Sequence, residues 1–153
     1  MWKGKNVTVF VTGGIAAFKA ATLVRLFVKA GANVEVAMTK SACEFITPLT
    51  FQVLTKNKVH TDTFDEDEAS KVQHIHLADK TDVAVVVPAT ANTIAKMANG
   101  IADNFLTSTL LATTAPIYIA PAMNEHMWEN PATVRNVAQL KADGKVVIEP
   151  ATG

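Results

Sequence analysis

Apolar-rich runs and helix-spaced apolar residues alternate along this chain. Residues 6–11 (NVTVFV) have the pattern of a strand buried on both faces. Over 15–30, Ile15, Phe18, Leu23, Leu26, Phe27 and Ala30 recur at helical spacing, and Gly31 follows where a helix ends. Residues 33–38 (NVEVAM) read as a second strand. A right-handed crossover then places the two strands parallel. Short helices follow over 41–46 and 48–56, divided at Pro48, a favoured first helical residue. A weaker strand spans 59–64, and 72–78 fit neither period. Residues 82–87 (DVAVVV) are the clearest buried strand, stopped by Pro88, which has no N–H for a ladder. A helix over 90–99 ends before Gly100, and Asp103 or Asn104 caps another running through Leu111. A strand over 117–120 stops at Pro121; a helix over 131–142, Gly144 and a strand over 145–149 follow. The expected fold class is α/β: a Rossmann-like doubly wound parallel sheet of about six strands, with helices on both faces. Its 153 residues are expected to form one domain.

Composition adds limits to this picture. Hydrophobic residues make up 49% of the chain and charged ones 18%, so some apolar surface is expected between subunits of a homo-oligomer. Lys plus Arg and Asp plus Glu are 14 each, and no basic stripe speaks for a nucleic acid. The run Asp65-Glu66-Asp67-Glu68 reads as a solvated loop rather than a metal site. The single cysteine, Cys43, leaves no intramolecular disulfide and fits a reducing compartment. The N-terminal residues lead directly into a strand, and no apolar run is long enough to cross a membrane. The expected location is cytoplasmic.

Candidate chemistry gathers at the carboxyl ends of the strands, where open α/β sheets bind ligands. Thr12-Gly13-Gly14-Ile15 lies between strand and helix and is either a tight turn or an anion seat. It is neither a dinucleotide fingerprint nor a Walker loop. After the second strand stand Thr39, Lys40 and Ser41, where a dinucleotide site carries an acid for the ribose. Two hydroxyls and a cation suit a phosphate instead, so a mononucleotide fits better, although Ser41 also suits a helix cap. Pro88-Ala89-Thr90-Ala91-Asn92-Thr93 and Pro121-Ala122-Met123-Asn124 each begin where a strand stops, and suggest two walls of one cleft. His74 and His76 share a face if 72–78 is a strand, which suits a metal only with a third ligand. A single histidine handling a proton or a substrate carboxylate is the better reading, with no metal.

These segments, with Gly100-Ile101-Ala102-Asp103-Asn104 and Met127-Trp128-Glu129-Asn130-Pro131, carry a resemblance over essentially the whole chain. It resembles the flavin-dependent cysteine decarboxylase family. The resemblance implies FMN as cofactor, with Gly13, Gly14, Ile15, Thr39 and Ser41 on its phosphate side. Thr90, Ala91, Asn92, Thr93 and Ala122 line the rest. It implies His74 as the active-site histidine, Asn124 as catalytic and substrate-binding, and Met123 packed against flavin or substrate. The implied reaction is oxidation of a cysteine side chain to a thioaldehyde, loss of carbon dioxide, and an enethiol that is then reduced. The implied substrate is phosphopantothenoylcysteine, and the implied assembly a trimer or a set of trimers with flavin at subunit interfaces. Alternatives are decarboxylation of a peptide C-terminal cysteine and a non-catalytic, phosphatase-inhibiting role. The family's flap cysteine falls beyond Gly153, so the chain is expected to be truncated before the flap and before any synthetase domain.

Overall fold

The computed structural model describes residues 1–61 and 68–150. Strands and helices alternate as β1 (Asn6–Val11), α1 (Ala17–Lys29), β2 (Asn33–Met38), a 3-10 turn (Ala42–Glu44), α2 (Pro48–Thr55) and β3 (His60–Thr61). Then come α3 (Glu68–Lys80), β4 (Val83–Ala89), α4 (Ala91–Asn99), α5 (Phe105–Ala112), β5 (Ile117–Pro121), α6 (Glu125–Glu129), α7 (Pro131–Ala142) and β6 (Val146–Val147). The six strands form one parallel sheet in the order β3-β2-β1-β4-β5-β6. The expected α/β architecture is borne out. Chain order reverses between β1 and β4, and that switch point opens a crevice at their carboxyl ends.

Sheet register shows how the faces are covered. Phe10 lies beside Ala37 and Val86, and Val86 beside Ile119. All four are fully buried on the face that packs with Ile94, Leu106, Leu110 and Leu140 of α4, α5 and α7. On the opposite face Val36, Val9, Val85, Tyr118 and Val146 form one row. Their exposures run 1%, 0%, 8%, 38% and 47%. Helices α1 and α2 therefore cover the β1–β2 side of that face and leave the β5–β6 side open. Against the sheet α1 buries Ala17, Ala20 and Val24. Phe18 and Leu26 of the expected apolar stripe point outward, because small side chains bring the helix axis closest to the strands.

Several boundaries differ from expectation. β4 runs through Pro88, with a cis Val87–Pro88 bond and an irregular register between Val86 and Ala89. β5 includes Pro121, paired with Ala89. Proline loses only its donor; the Pro88 carbonyl still accepts from the Thr12 N–H at 3.3 Å and from the Thr12 hydroxyl. Residues 72–78 lie within α3, so His74 and His76, two apart on a helix, do not share a face as a strand pair does. α6 adds a short helix after Asn124 that the pattern did not reveal. The expected strand over 59–64 is described only as His60–Thr61. Residues 65–67 of the acidic run, and 62–64, lie outside the described residues. No helix among the described residues is long and apolar enough to cross a membrane.

Candidate functional site

The crevice at the switch point is built from three strand ends. β1 ends at Thr12, whose residue is 1% exposed. The Thr12 hydroxyl donates to the Pro88 carbonyl and accepts from the Thr90 N–H at 3.1 Å, which fixes the end of β4 against the end of β1. On the other side the Thr39 N–H donates to the Val11 carbonyl at 3.0 Å. Gly13 is required by close approach: a Cβ there would stand 2.8 Å from the Cβ of Ser41. Gly14, at φ +134°, holds a conformation that side chains resist. The following helix, α1, begins at Ala17, and Ala16 before it supplies no side-chain cap, so its first N–H groups and dipole face the crevice end unmet by a side chain.

A cavity of about 380 Å³ occupies this crevice, within the usual range of roughly 300–1,000 Å³ for cofactor sites. Thr12 and Gly13 line it from β1, Thr39, Lys40, Ser41 and Phe45 from the β2 side, and Thr90, Asn92, Thr93 and Lys96 from α4. Asn104, the α5 N-cap, completes the wall. Among the described residues, hydroxyls, amides and two lysines line it without a carboxylate. Lys96 is paired with Asp103 at 2.9 Å. The donor set matches an anionic ligand with many polar edges. A glycine that lets the β1 and β2 loops close together, a helix start without a side-chain cap and a lining of hydroxyls and amides together fit a phosphorylated flavin.

The cavity gathers Gly13, Thr39, Ser41, Thr90, Asn92 and Thr93 of the expected site residues. Thr90 caps α4 as expected, its oxygen accepting from the Thr93 N–H at 3.1 Å. Ser41 does not cap the turn after it. Thr39 makes that bond instead, accepting from the Ala42 N–H at 3.1 Å, because it stands three residues before the donor. Gly14, Ile15, Ala91, Ala122, Met123, Asn124 and His74 lie outside the lining. Ala122 is nonetheless tied to the end of β4 by its N–H to the Ala89 carbonyl, 3.1 Å. Met123 packs at the edge of the core. The Asn124 side-chain oxygen caps α6, accepting from the His126 N–H at 2.8 Å. His74, on α3, meets the Phe105 ring edge-on with centroids 6.3 Å apart. Ile15 is 80% exposed.

Lys96, Phe45 and Asn104 are lining residues that pattern reading missed. Thr90, Thr93 and Lys96 recur at three-residue spacing along one face of α4, which was the available signal.

Comparison with known proteins agrees with this geometry. The family described as Flavoprotein matches residues 1–152. The coenzyme A biosynthesis bifunctional protein CoaBC of Bacillus subtilis (strain 168) is 55% identical over 153 residues, 100% of this chain and 38% of that protein. The chain thus spans about two fifths of the length of that relative. The probable phosphopantothenoylcysteine decarboxylase of Streptococcus mutans serotype c (strain ATCC 700610 / UA159) is 46% identical over 148 residues, covering 95% of this chain and 83% of that protein. The crystal structure of the FMN-dependent cysteine decarboxylase SpaF superposes with a TM-score of 0.90 at 34% identity, over 100% of this chain and 88% of that one. On the fold, the crevice and the match across nearly all its residues, this chain belongs to the flavoprotein family.

Proposed function

We propose that this chain is the FMN-dependent decarboxylase domain that converts phosphopantothenoylcysteine to phosphopantetheine in coenzyme A biosynthesis, a cytoplasmic carboxy-lyase. The observation that carries the reading is the acid-free, hydroxyl-lined cavity at the switch point of a chain 46% identical to a probable phosphopantothenoylcysteine decarboxylase. Gly13, Gly14, Ile15, Thr39 and Ser41 hold the phosphate side of FMN. Thr90, Ala91, Asn92, Thr93 and Ala122 line the remainder. A bound flavin would supply the two-electron acceptor for oxidation of the substrate's cysteine side chain to a thioaldehyde, and would return those electrons to reduce the enethiol to the saturated thiol of phosphopantetheine.

The chain's own residues then act on the substrate. In the thioaldehyde the carboxylate sits β to an electron sink, so loss of carbon dioxide leaves an enethiolate. The Asn124 oxygen is committed to the α6 cap, which leaves its amide N–H groups to donate to the carboxylate or to the developing sulfur anion. His74 orients the substrate and manages its carboxylate or proton. Met123 packs its thioether against flavin or substrate.

The open β5–β6 side of the sheet, with Tyr118 and Val146 exposed, and the exposed Ile15 beside the cavity support self-association as a trimer or an assembly of trimers. Ile15 then reaches flavin from an interface.

A second reading, decarboxylation of a peptide's C-terminal cysteine, is favoured by the 0.90 TM-score to SpaF, an FMN-dependent cysteine decarboxylase. The flavin-loaded protein is offered phosphopantothenoylcysteine and, in parallel, a peptide ending in cysteine, with products followed by mass spectrometry. Loss of carbon dioxide from the pantothenoyl substrate, abolished by His74→Asn, is expected. Turnover of the peptide alone would overturn the first reading in favour of the second.

A further inference from the structure

Behind His74 lies a polar cluster that the reaction described above does not use. Glu35 stands in β2 between Val34 and Val36, so its side chain takes the face opposite to theirs, beneath α3 and α5. Its side chain is only 14% exposed. A carboxylate so placed loses hydration and persists as an ion only with good partners. It has two: the His60 Nε2–H donates to Oε1 at 3.1 Å, and Lys80, in the last turn of α3, pairs with Oε2. Held in this way, the imidazole of His60 lies flat on Phe105, with centroids 5.1 Å apart and planes 5° from parallel. Phe105 in turn meets His74 edge-on, at 6.3 Å and 87°. Phe105 is the first residue of α5, directly after the cavity-lining Asn104. One line of contacts therefore runs from the sheet through two rings to the histidine.

We propose that Phe105 is a positioning residue for His74, and that His60, locked by Glu35 and Lys80, holds Phe105 in place. The inference rests on reading His74 as the residue that acts on the substrate. An imidazole on a helix surface samples several rotamers, and a ring edge packed against an aromatic face narrows them. Reactive groups displaced by about 1 Å lose rate steeply, by up to ~100-fold. The ring contact acts through His74 and not on the flavin, so its loss is felt in turnover rather than in cofactor binding.

The test uses the FMN-loaded enzyme and phosphopantothenoylcysteine, with Phe105→Leu, Phe105→Tyr and His60→Gln compared to wild type. Phe105→Leu is expected to lower kcat about tenfold, with KM and FMN bound per chain unchanged. Phe105→Tyr, which keeps the ring, restores kcat. His60→Gln lowers kcat in the same direction and moves the His74 imidazole resonance in the proton NMR spectrum. Wild-type kcat in Phe105→Leu, or a loss that tyrosine fails to rescue, would overturn the proposal. So would a loss that follows FMN content. If Phe105→Leu does not fold, His60→Gln, at a strand end, decides by the same readouts. Full activity in His74→Asn would instead defeat the reading of His74 itself, an outcome distinct from any change at Phe105.

Discussion

Gly13→Ala probes the cradle at its tightest point. The added Cβ would sit 2.8 Å from the Ser41 Cβ and 3.4 Å from the Ser41 carbonyl carbon. Carbon atoms rest about 3.5–4.0 Å apart, so the two loops must separate by roughly 0.7–1.2 Å. Neither contact is the free end of a flexible side chain, and the strain falls on the backbone between β2 and the 3-10 turn. Overpacking of this kind costs about 1–3 kcal/mol. The shift also moves the Thr39 and Ser41 hydroxyls away from the Gly13–Gly14 turn, the two sides proposed to share the phosphate. If that cost falls on binding, FMN affinity drops by about 5- to 140-fold, at 1.4 kcal/mol per tenfold. Flavin fluorescence titration of purified protein reads the dissociation constant, and thermal unfolding of the flavin-free protein reads the remainder. Ser41→Gly removes the opposing Cβ. The double variant should therefore bind FMN better than the two single losses predict together, a coupling that a double-mutant cycle resolves. Wild-type affinity in Gly13→Ala, or strictly additive losses in the cycle, would refute the reasoning.

Other consequences follow from single contacts. The Glu35 carboxyl is held down to about 2 from its ordinary 4.5, first by the His60 hydrogen bond and then by Lys80, against the opposing effect of burial. Because the folded value is depressed, this stabilisation is complete above about pH 4.5 and is lost as pH falls toward 2. Glu35→Gln should remove up to about 3 kcal/mol of pH-dependent stability across that window, read by urea unfolding at each pH. Thr12→Val strands the Thr90 N–H and one lone pair of the Pro88 carbonyl, and should cost about 1–3 kcal/mol in chemical denaturation as well as weakening FMN binding. Burial, and secondarily Glu44, push the Cys43 thiol up. Cys43 should therefore alkylate more slowly than an exposed thiol at pH 8 and reach the ordinary rate in urea, as followed by mass spectrometry.

How much of this was legible in the sequence depended on the strength of each local pattern. β1, β2 and α7 were read to their boundaries, because NVTVFV and NVEVAM are strong buried-strand runs and Pro131 marks a helix start. α3 is not, since Gln73-His74-Ile75-His76 carries no apolar stripe and, among the described side chains of 73–78, the buried ones are Leu77 and Ala78. Its helix is held by contacts remote in sequence, such as the Thr81 hydroxyl bridging the Leu77 carbonyl and Thr8. The strand ends at Pro88 and Pro121 were placed too early, because the missing N–H was weighed and the carbonyl was not. Of the candidate site, the hydroxyls around Gly13 were found by their position after strands. Asn104 is missed as a lining residue because its part in the cavity comes from how α5 packs, which no local pattern encodes, whereas Lys96 follows Thr90 and Thr93 at three-residue spacing on α4. The link from Glu35 to His74 crosses four elements, β2, β3, α5 and α3, and is visible only when folded.

The most direct measurement is a crystal structure of the chain bound to FMN. Flavin density is expected in the crevice between β1 and β4, with its phosphate among Gly13, Thr39 and Ser41 and its remainder along Thr90 to Thr93. A flavin bound elsewhere on the sheet, or a crevice left empty at saturating FMN, would contradict it.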